Sequence, residues 1–192
     1  MVVAKMAGIR VFSTGGIGGV HRGHPFDVSA DLLELGRTPV CVVCAGAKSL
    51  LDLPATLEVL ETQGVPVVGF QTAEFPAFFT ASSGLPVTVA AESPRQVADL
   101  ILAAESLDMD AGGTLVVVPV PAADALPREE AERAIAEAIR RADERNIAGS
   151  AVTPFLLSEI AALTGGRSVA ANRALLLNNC RVGAQIAVAL AG

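Results

Sequence analysis

Five short apolar runs, most of them Val-rich and nearly unbroken, constrain this chain more than any other feature: residues 9–13, 40–45, 65–70, 86–90 and 114–119. A strand with one face in water alternates apolar and polar residues, because successive side chains point to opposite faces. A strand covered on both faces loses that alternation and reads as a continuous apolar segment. The runs therefore predict strands buried on both sides, with helices above and below the sheet.

The segments between and after the runs carry helix signals. Residues 49–63 open on a Ser-x-x-Asp capping box, Ser49 and Asp52, and stop at Gly64. Residues 93–105 begin with Ser93 as cap and Pro94 in the first turn, and residues 127–146 with Pro127 followed by Glu129 and Glu130. Residues 153–163 place Thr153 at the cap and Pro154 at the first position, and residues 168–190 complete the set. The order gives an α/β chain: a three-layer α/β/α core with a C-terminal helical flank, expected as a single domain over residues 1–192. No helix is expected ahead of the first strand.

Composition narrows the function classes. The chain is 52% hydrophobic and 18% charged, with neither Trp nor Tyr, which suits compact packing of small residues. A net charge of −6 argues against nucleic acid as the main partner but leaves room for a small anion in a local basic pocket. No uninterrupted apolar run reaches the roughly 18 residues of a membrane span, and the N-terminus lacks the layout of a secretory signal. No membrane partner and a cytoplasmic location are expected. Cys41 and Cys44 lie three apart in one strand, so their thiols point to opposite faces and are expected to be buried and reduced.

The stretch "STGGIGGVHRGHPFDVSAD", residues 13–31, concentrates glycine beside titratable side chains. It is neither a dinucleotide fingerprint nor a P-loop: His21 stands where the first needs Gly, and His24 and Pro25 where the second needs Lys and Ser or Thr. Glycines after a strand still permit positive φ and close approach of backbone N–H groups to an anion, with Arg22 available for a bidentate phosphate contact; a structural turn is the other reading. Asp27, Ser29 and Asp31 could hold a hard cation or could simply cap a helix. Lys48 follows an apolar strand and precedes a helix pattern, where strand ends gather ligands. An amine held neutral there is a nucleophile toward a carbonyl-like carbon. Asn178 and Asn179 interrupt an apolar helix, for contacts either to a neighbouring loop or to a substrate, and Gln71 and Thr72 stand at another strand end.

Taken in order, "GGIGGVHRG", "DVSADL", "VVCAGAKSLLDL", "ETQGVPVVGFQT", "PAFF", "TPFLL" and the "NN" of the last helix resemble the pseudouridine-5'-phosphate glycosidases, a family that includes the indigoidine-cluster protein A relatives. The resemblance runs over almost the entire chain. It implies reversible cleavage of the C–C bond between uracil and ribose, so that pseudouridine 5'-phosphate gives uracil and ribose 5-phosphate. It also implies one divalent cation per subunit, usually Mn2+, and a homotrimer. By matching motifs, Lys48 is the nucleophile, and His21 and Asp31 join it as catalytic residues. Asp27 is the metal ligand, Ser29, Ala30 and Asp31 contact substrate, and an asparagine of the last helix, Asn178 or Asn179, does so too. A C-glycoside has no leaving heteroatom to protonate, so acid-assisted hydrolysis of the usual kind fails and a covalent lysine adduct supplies the electron sink. Family members carry a further N-terminal segment that supplies a glutamate general acid and a substrate-binding lysine, neither with a counterpart here. The expectation is a truncated or split chain that is weakly active or inactive alone. A different lysine-imine lyase of sugar phosphates, or a non-catalytic sugar-phosphate-binding remnant, are the competing readings.

Overall fold

The structure is a computed structural model that describes residues 1–107, 112–147 and 149–192. In chain order the elements are α1 (Val2–Met6), β1 (Val11–Ser13), β2 (Val20–His21), β3 (His24–Val28), α2 (Ala30–Leu35), β4 (Cys41–Cys44), β5 (Leu51–Asp52), α3 (Leu53–Thr62), β6 (Val67–Phe70), β7 (Val89–Ala91), α4 (Pro94–Ser106), β8 (Thr114–Val117), α5 (Arg128–Glu144), a 3-10 turn (Gly149–Ala151), α6 (Val152–Leu163) and α7 (Arg167–Ala191).

The five Val-rich runs form one five-stranded sheet in the order β1-β4-β8-β6-β7, with every pair parallel. Val43 of β4 and Val68 of β6 both pair with Val116 of the central strand β8. Two cores explain why the runs do not alternate. Val42, Cys44, Leu115 and Val117 point into a core closed by α2, α3, α5 and α6, whereas Cys41, Val43, Val68 and Val116 point into a second core closed by α4 and the later half of α7. Neighbouring residues on one strand are thus buried on opposite sides, and both must be apolar.

α7 is the flank the sequence predicts, and it serves both cores. Ala171 and Leu175 belong to the first, and Val182, Ile186 and Leu190 to the second. By length and composition this 25-residue helix could cross a membrane, but its buried side packs on β1, β4 and α4 as a core helix does.

Three sequence expectations need correction. A five-residue helix, α1, does precede the first strand, although none of its residues is buried. α3 starts at Leu53, not at Ser49, because Asp52 is the cap and accepts the Ala55 N–H at 3.0 Å. α6 has Ala151 at its cap position, with Thr153 and Pro154 inside its first turn. A second, small antiparallel sheet in the order β3-β2-β5 lay outside the sequence reading altogether. It places the hairpin of β2 and β3 beside β5, at the carboxyl end of the main sheet.

Cys41 and Cys44 are buried on opposite faces, and burial pushes both thiols up to about 12. Since only the thiolate reacts with alkylating reagents, native protein at pH 8 should take iodoacetamide at the exposed Cys180 alone, and all three cysteines should react after unfolding. Peptide mapping that found Cys44 alkylated in the native state would contradict the sheet.

Candidate active site

Two loops leave the carboxyl ends of adjacent parallel strands and run side by side. Ala45 N–H donates to Gly15 O at 2.9 Å, Ile17 N–H to Gly46 O at 3.1 Å, and Lys48 N–H to Ile17 O at 3.1 Å. The ladder of β1 and β4 is thereby extended past the strands, as an isolated bridge between Ile17 and Ala47.

The glycines of residues 15–19 answer to packing, not to the left-handed backbone expected for them, since none of the four has a positive φ. A Cβ on Gly16 would stand 2.7 Å from two ring carbons of Phe78, one on Gly18 would collide with the Ser29 hydroxyl, and one on Gly19 with the Thr56 hydroxyl. Each missing side chain lets a distant element close on the loop. Of the backbone N–H groups expected to be free for an anion, that of Gly18 is taken by Asp31 Oδ2 at 2.8 Å. Ser29 caps α2, its hydroxyl accepting the Asp31 N–H at 3.2 Å, and its own N–H donates to Gly19 O at 3.0 Å. Ala30, exposed, is the first residue of that helix. The Ser29, Ala30 and Asp31 triplet is therefore locked against Gly18 and Gly19.

Lys48 joins the same cluster from the other loop. Its N–H is bonded to Ile17, the residue before Gly18, and its carbonyl accepts the Leu51 N–H at 2.9 Å, so that residues 48–51 form a tight turn. The side chain is half-buried. Because α3 begins only at Leu53, the lysine does not sit at a helix N-terminus as the sequence suggested. What holds it is a turn pinned to the glycine loop.

His21 and Asp27 face one another across the β2–β3 hairpin, with His21 Nδ1 3.3 Å from Asp27 Oδ2. Asp27 lies in a strand and points to His21, while Asp31 points to Gly18, so the two carboxylates have separate partners. Among the described residues no three His, Cys, Asp or Glu side chains converge on a metal position. A hard divalent ion often takes one or two carboxylates and completes its shell with water and substrate oxygens, and the exposed carboxylate of Asp27 fits that mode.

Other candidates have partners within the chain. The Arg22 guanidinium, expected as a phosphate fork, donates to Leu51 O at 3.0 Å and Ser49 O at 2.9 Å. Asn179 is fully buried and its amide donates to Thr14 O at 2.8 Å and Gly15 O at 3.3 Å, while its Oδ1 has no partner among the described residues; it anchors the glycine loop from behind. Asn178 donates to Pro119 O at 3.4 Å and accepts from Arg181 at 2.8 Å. Gln71, at φ 54°, reaches Glu92 O, and Thr72 bonds Glu74. Two residues to which the sequence reading gave no role also meet the loop. Asn172 Oδ1 lies 3.5 Å from the Cβ position of Gly15, and its spacing of seven from Asn179 on one helix face is the signal that could have found it. Phe78, in the "PAFF" of the resemblance, is buried at φ 62°, a conformation that costs a bulky residue about 1–3 kcal/mol. Its N–H is held by Ala45 O at 3.2 Å, which brings its ring over Gly16.

A family model described as "Indigoidine synthase A like protein" matches residues 1–189. The chain belongs to that family. It is 57% identical to the pseudouridine-5'-phosphate glycosidases of Methylobacterium nodulans and of Chloroflexus aurantiacus, over 100% and 98% of its own length and 57% and 63% of theirs. It thus spans about three fifths of the length of these curated relatives. Two solved structures superpose closely. The prealnumycin C-glycosynthase AlnA, solved in complex with ribulose 5-phosphate, is 40% identical with a TM-score of 0.91, over 98% of this chain and 63% of that one. An indigoidine synthase A-like protein of Thermotoga maritima is 39% identical with a TM-score of 0.90, over 98% and 62%.

The packing account of the loop makes a prediction. Gly16→Ala should cost about 1–3 kcal/mol, the usual penalty of overpacking, whereas Gly15→Ala, whose nearest neighbour would be 3.5 Å away, should cost much less. Equal midpoints for the two variants in urea unfolding would contradict it.

Proposed function

We propose that this site belongs to a pseudouridine-5'-phosphate glycosidase, acting reversibly on the C–C bond of pseudouridine 5'-phosphate through an adduct at Lys48. The observation that carries the reading is the placement of Lys48: its backbone is bonded to Ile17 while the next residue, Gly18, is bonded to Asp31. A candidate nucleophile and the substrate-contacting triplet of the resemblance are thereby held on consecutive residues of one loop. The names of the curated relatives and the sugar phosphate in the AlnA complex agree with it.

In the forward direction the Lys48 amine, after losing a proton, bonds to C1' of the ribose as the C1'–O4' bond breaks and O4' takes up a proton. Uracil C5 then accepts a proton, the C1'–C5 bond breaks with its electron pair passing to the uracil ring, and the nitrogen lone pair closes a C1'=N double bond. Water adds to that imine and returns the free amine and ribose 5-phosphate. Ser29 and Asp31 orient the substrate, and His21 steadies Asp27 across the hairpin. Mn2+, held by Asp27 and water, would polarise substrate oxygens as a Lewis acid. The resemblance assigns the C5 proton donor to a glutamate of a segment ahead of the motifs matched here. A homotrimer of cytoplasmic subunits completes the proposal.

The test is uracil release from pseudouridine 5'-phosphate with Mn2+. Lys48→Ala should abolish uracil release, because without the amine no covalent adduct forms. Turnover that survives Lys48→Ala would overturn the mechanism. Separately, Asp27→Asn should weaken Mn2+ binding at least tenfold, read as free Mn2+ by electron paramagnetic resonance; unchanged binding would place the ion elsewhere.

A further inference from the structure

Arg22 occupies the two-residue turn between β2 and β3, yet its guanidinium spends its donors on another segment. Nε donates to Leu51 O and Nη2 to Ser49 O, at 3.0 and 2.9 Å. These two carbonyls lie within the turn that Lys48 opens, the turn closed by the Leu51 N–H on Lys48 O. Lys48 is therefore fixed by the glycine loop on one side, through Ile17, and its turn is fixed by Arg22 on the other. The hairpin that carries Arg22 also carries His21 and Asp27, and it is laddered to β5 through Val20 with Asp52 and His21 with Leu51.

We propose that Arg22 is a positioning residue for Lys48: its fork ties the lysine-bearing turn to the hairpin of His21 and Asp27, and so sets the direction in which the amine leaves the backbone. The inference rests on the reading of Lys48 as the nucleophile. A planar guanidinium spans two carbonyls at once, which a lysine ammonium on a flexible stem does not reproduce. The fork also has a stated consequence for substrate. With Nε and one Nη2 proton committed to backbone oxygens, Arg22 supports the attacking group through that edge of its guanidinium and has only the Nη1 edge left to offer a phosphate. Because misplacing a reacting group by about 1 Å costs on the order of 100-fold in rate, the effect should appear in the bond-forming step and not in ligand affinity.

The experiment measures adduct formation with ribose 5-phosphate by borohydride quenching over a range of sugar concentrations, in wild type, Arg22→Ala and Arg22→Lys. Both variants should lower the saturating rate of labelling at Lys48 by roughly 10- to 100-fold, with the half-saturating sugar concentration changed less than about threefold. A phosphate contact gives the opposite pattern: Arg22→Ala raises half-saturation with the saturating rate intact, and Arg22→Lys restores it. Either that pattern or wild-type rates in both variants overturns the proposal. Amide hydrogen exchange without sugar reads the tie directly. Leu51 should exchange faster in both variants while Leu115, in the central strand, stays protected; unchanged exchange at Leu51 overturns the tie. Wild-type protein that forms no adduct at all overturns the nucleophile reading itself, and the exchange result then decides alone whether Arg22 holds the turn.

Discussion

The site depends on one close approach, that of the loop after β1 to the loop after β4. Past the end of the sheet the two backbones continue to pair through Ala45, Ile17 and Lys48, and the pairing survives because glycines on one side give way to a phenyl ring and two hydroxyl groups. Parallel strands make this economical. Adjacent carboxyl ends deliver two loops to the same place, and the residues that follow each strand become neighbours without any long-range search. Lys48 is bonded to Ile17, next to the Gly18 that holds Asp31, because of where β1 and β4 end.

The surroundings stiffen that meeting. Phe78 accepts an unfavourable backbone conformation to lay its ring on Gly16, and Gly46, at φ +83°, leaves no space for a side chain against the Pro76 carbonyl. Asn179 reaches through from α7 to hold the Thr14 and Gly15 carbonyls. Residues 14–19 are thus met by α2, the loop after β4, α3, the Phe78 segment and α7, which is the pre-organisation that bond formation at a fixed carbon requires. The hairpin of His21 and Asp27 stands apart from this dense region, exposed along all of β3, and meets it mainly through β5 and Arg22.

The sheet was legible because burial on both faces leaves a mark in every residue, and Val42 and Val43 show it: neighbours, both buried, facing different cores. Helix ends were less legible. Ser49 and Asp52 both satisfy a capping pattern, and only the turn at Lys48 decides that Asp52 does the capping. The hairpin gave no apolar signal because its second strand is wholly exposed, and β5 is two residues long. The glycines were marked as special, and Gly23, at φ +73° in the hairpin turn, has the left-handed backbone expected, whereas Gly16, Gly18 and Gly19 answer to Phe78, Ser29 and Thr56, two of which are far along the chain. The pair at Asn178 and Asn179 drew attention by composition, while Asn172, single and unremarkable in sequence, stands beside Gly15 as Asn179 does.

The central claim is that the amine of residue 48 stands at the glycine loop, within reach of the carbon it attacks. A crystal structure of the protein reduced with borohydride in the presence of ribose 5-phosphate tests it most directly. The account predicts continuous density from Lys48 Nζ to C1 of the opened sugar, with the sugar lying along Gly18 and Asp31. Density joining the sugar to another residue, or a Lys48 side chain turned away from that loop, would contradict it.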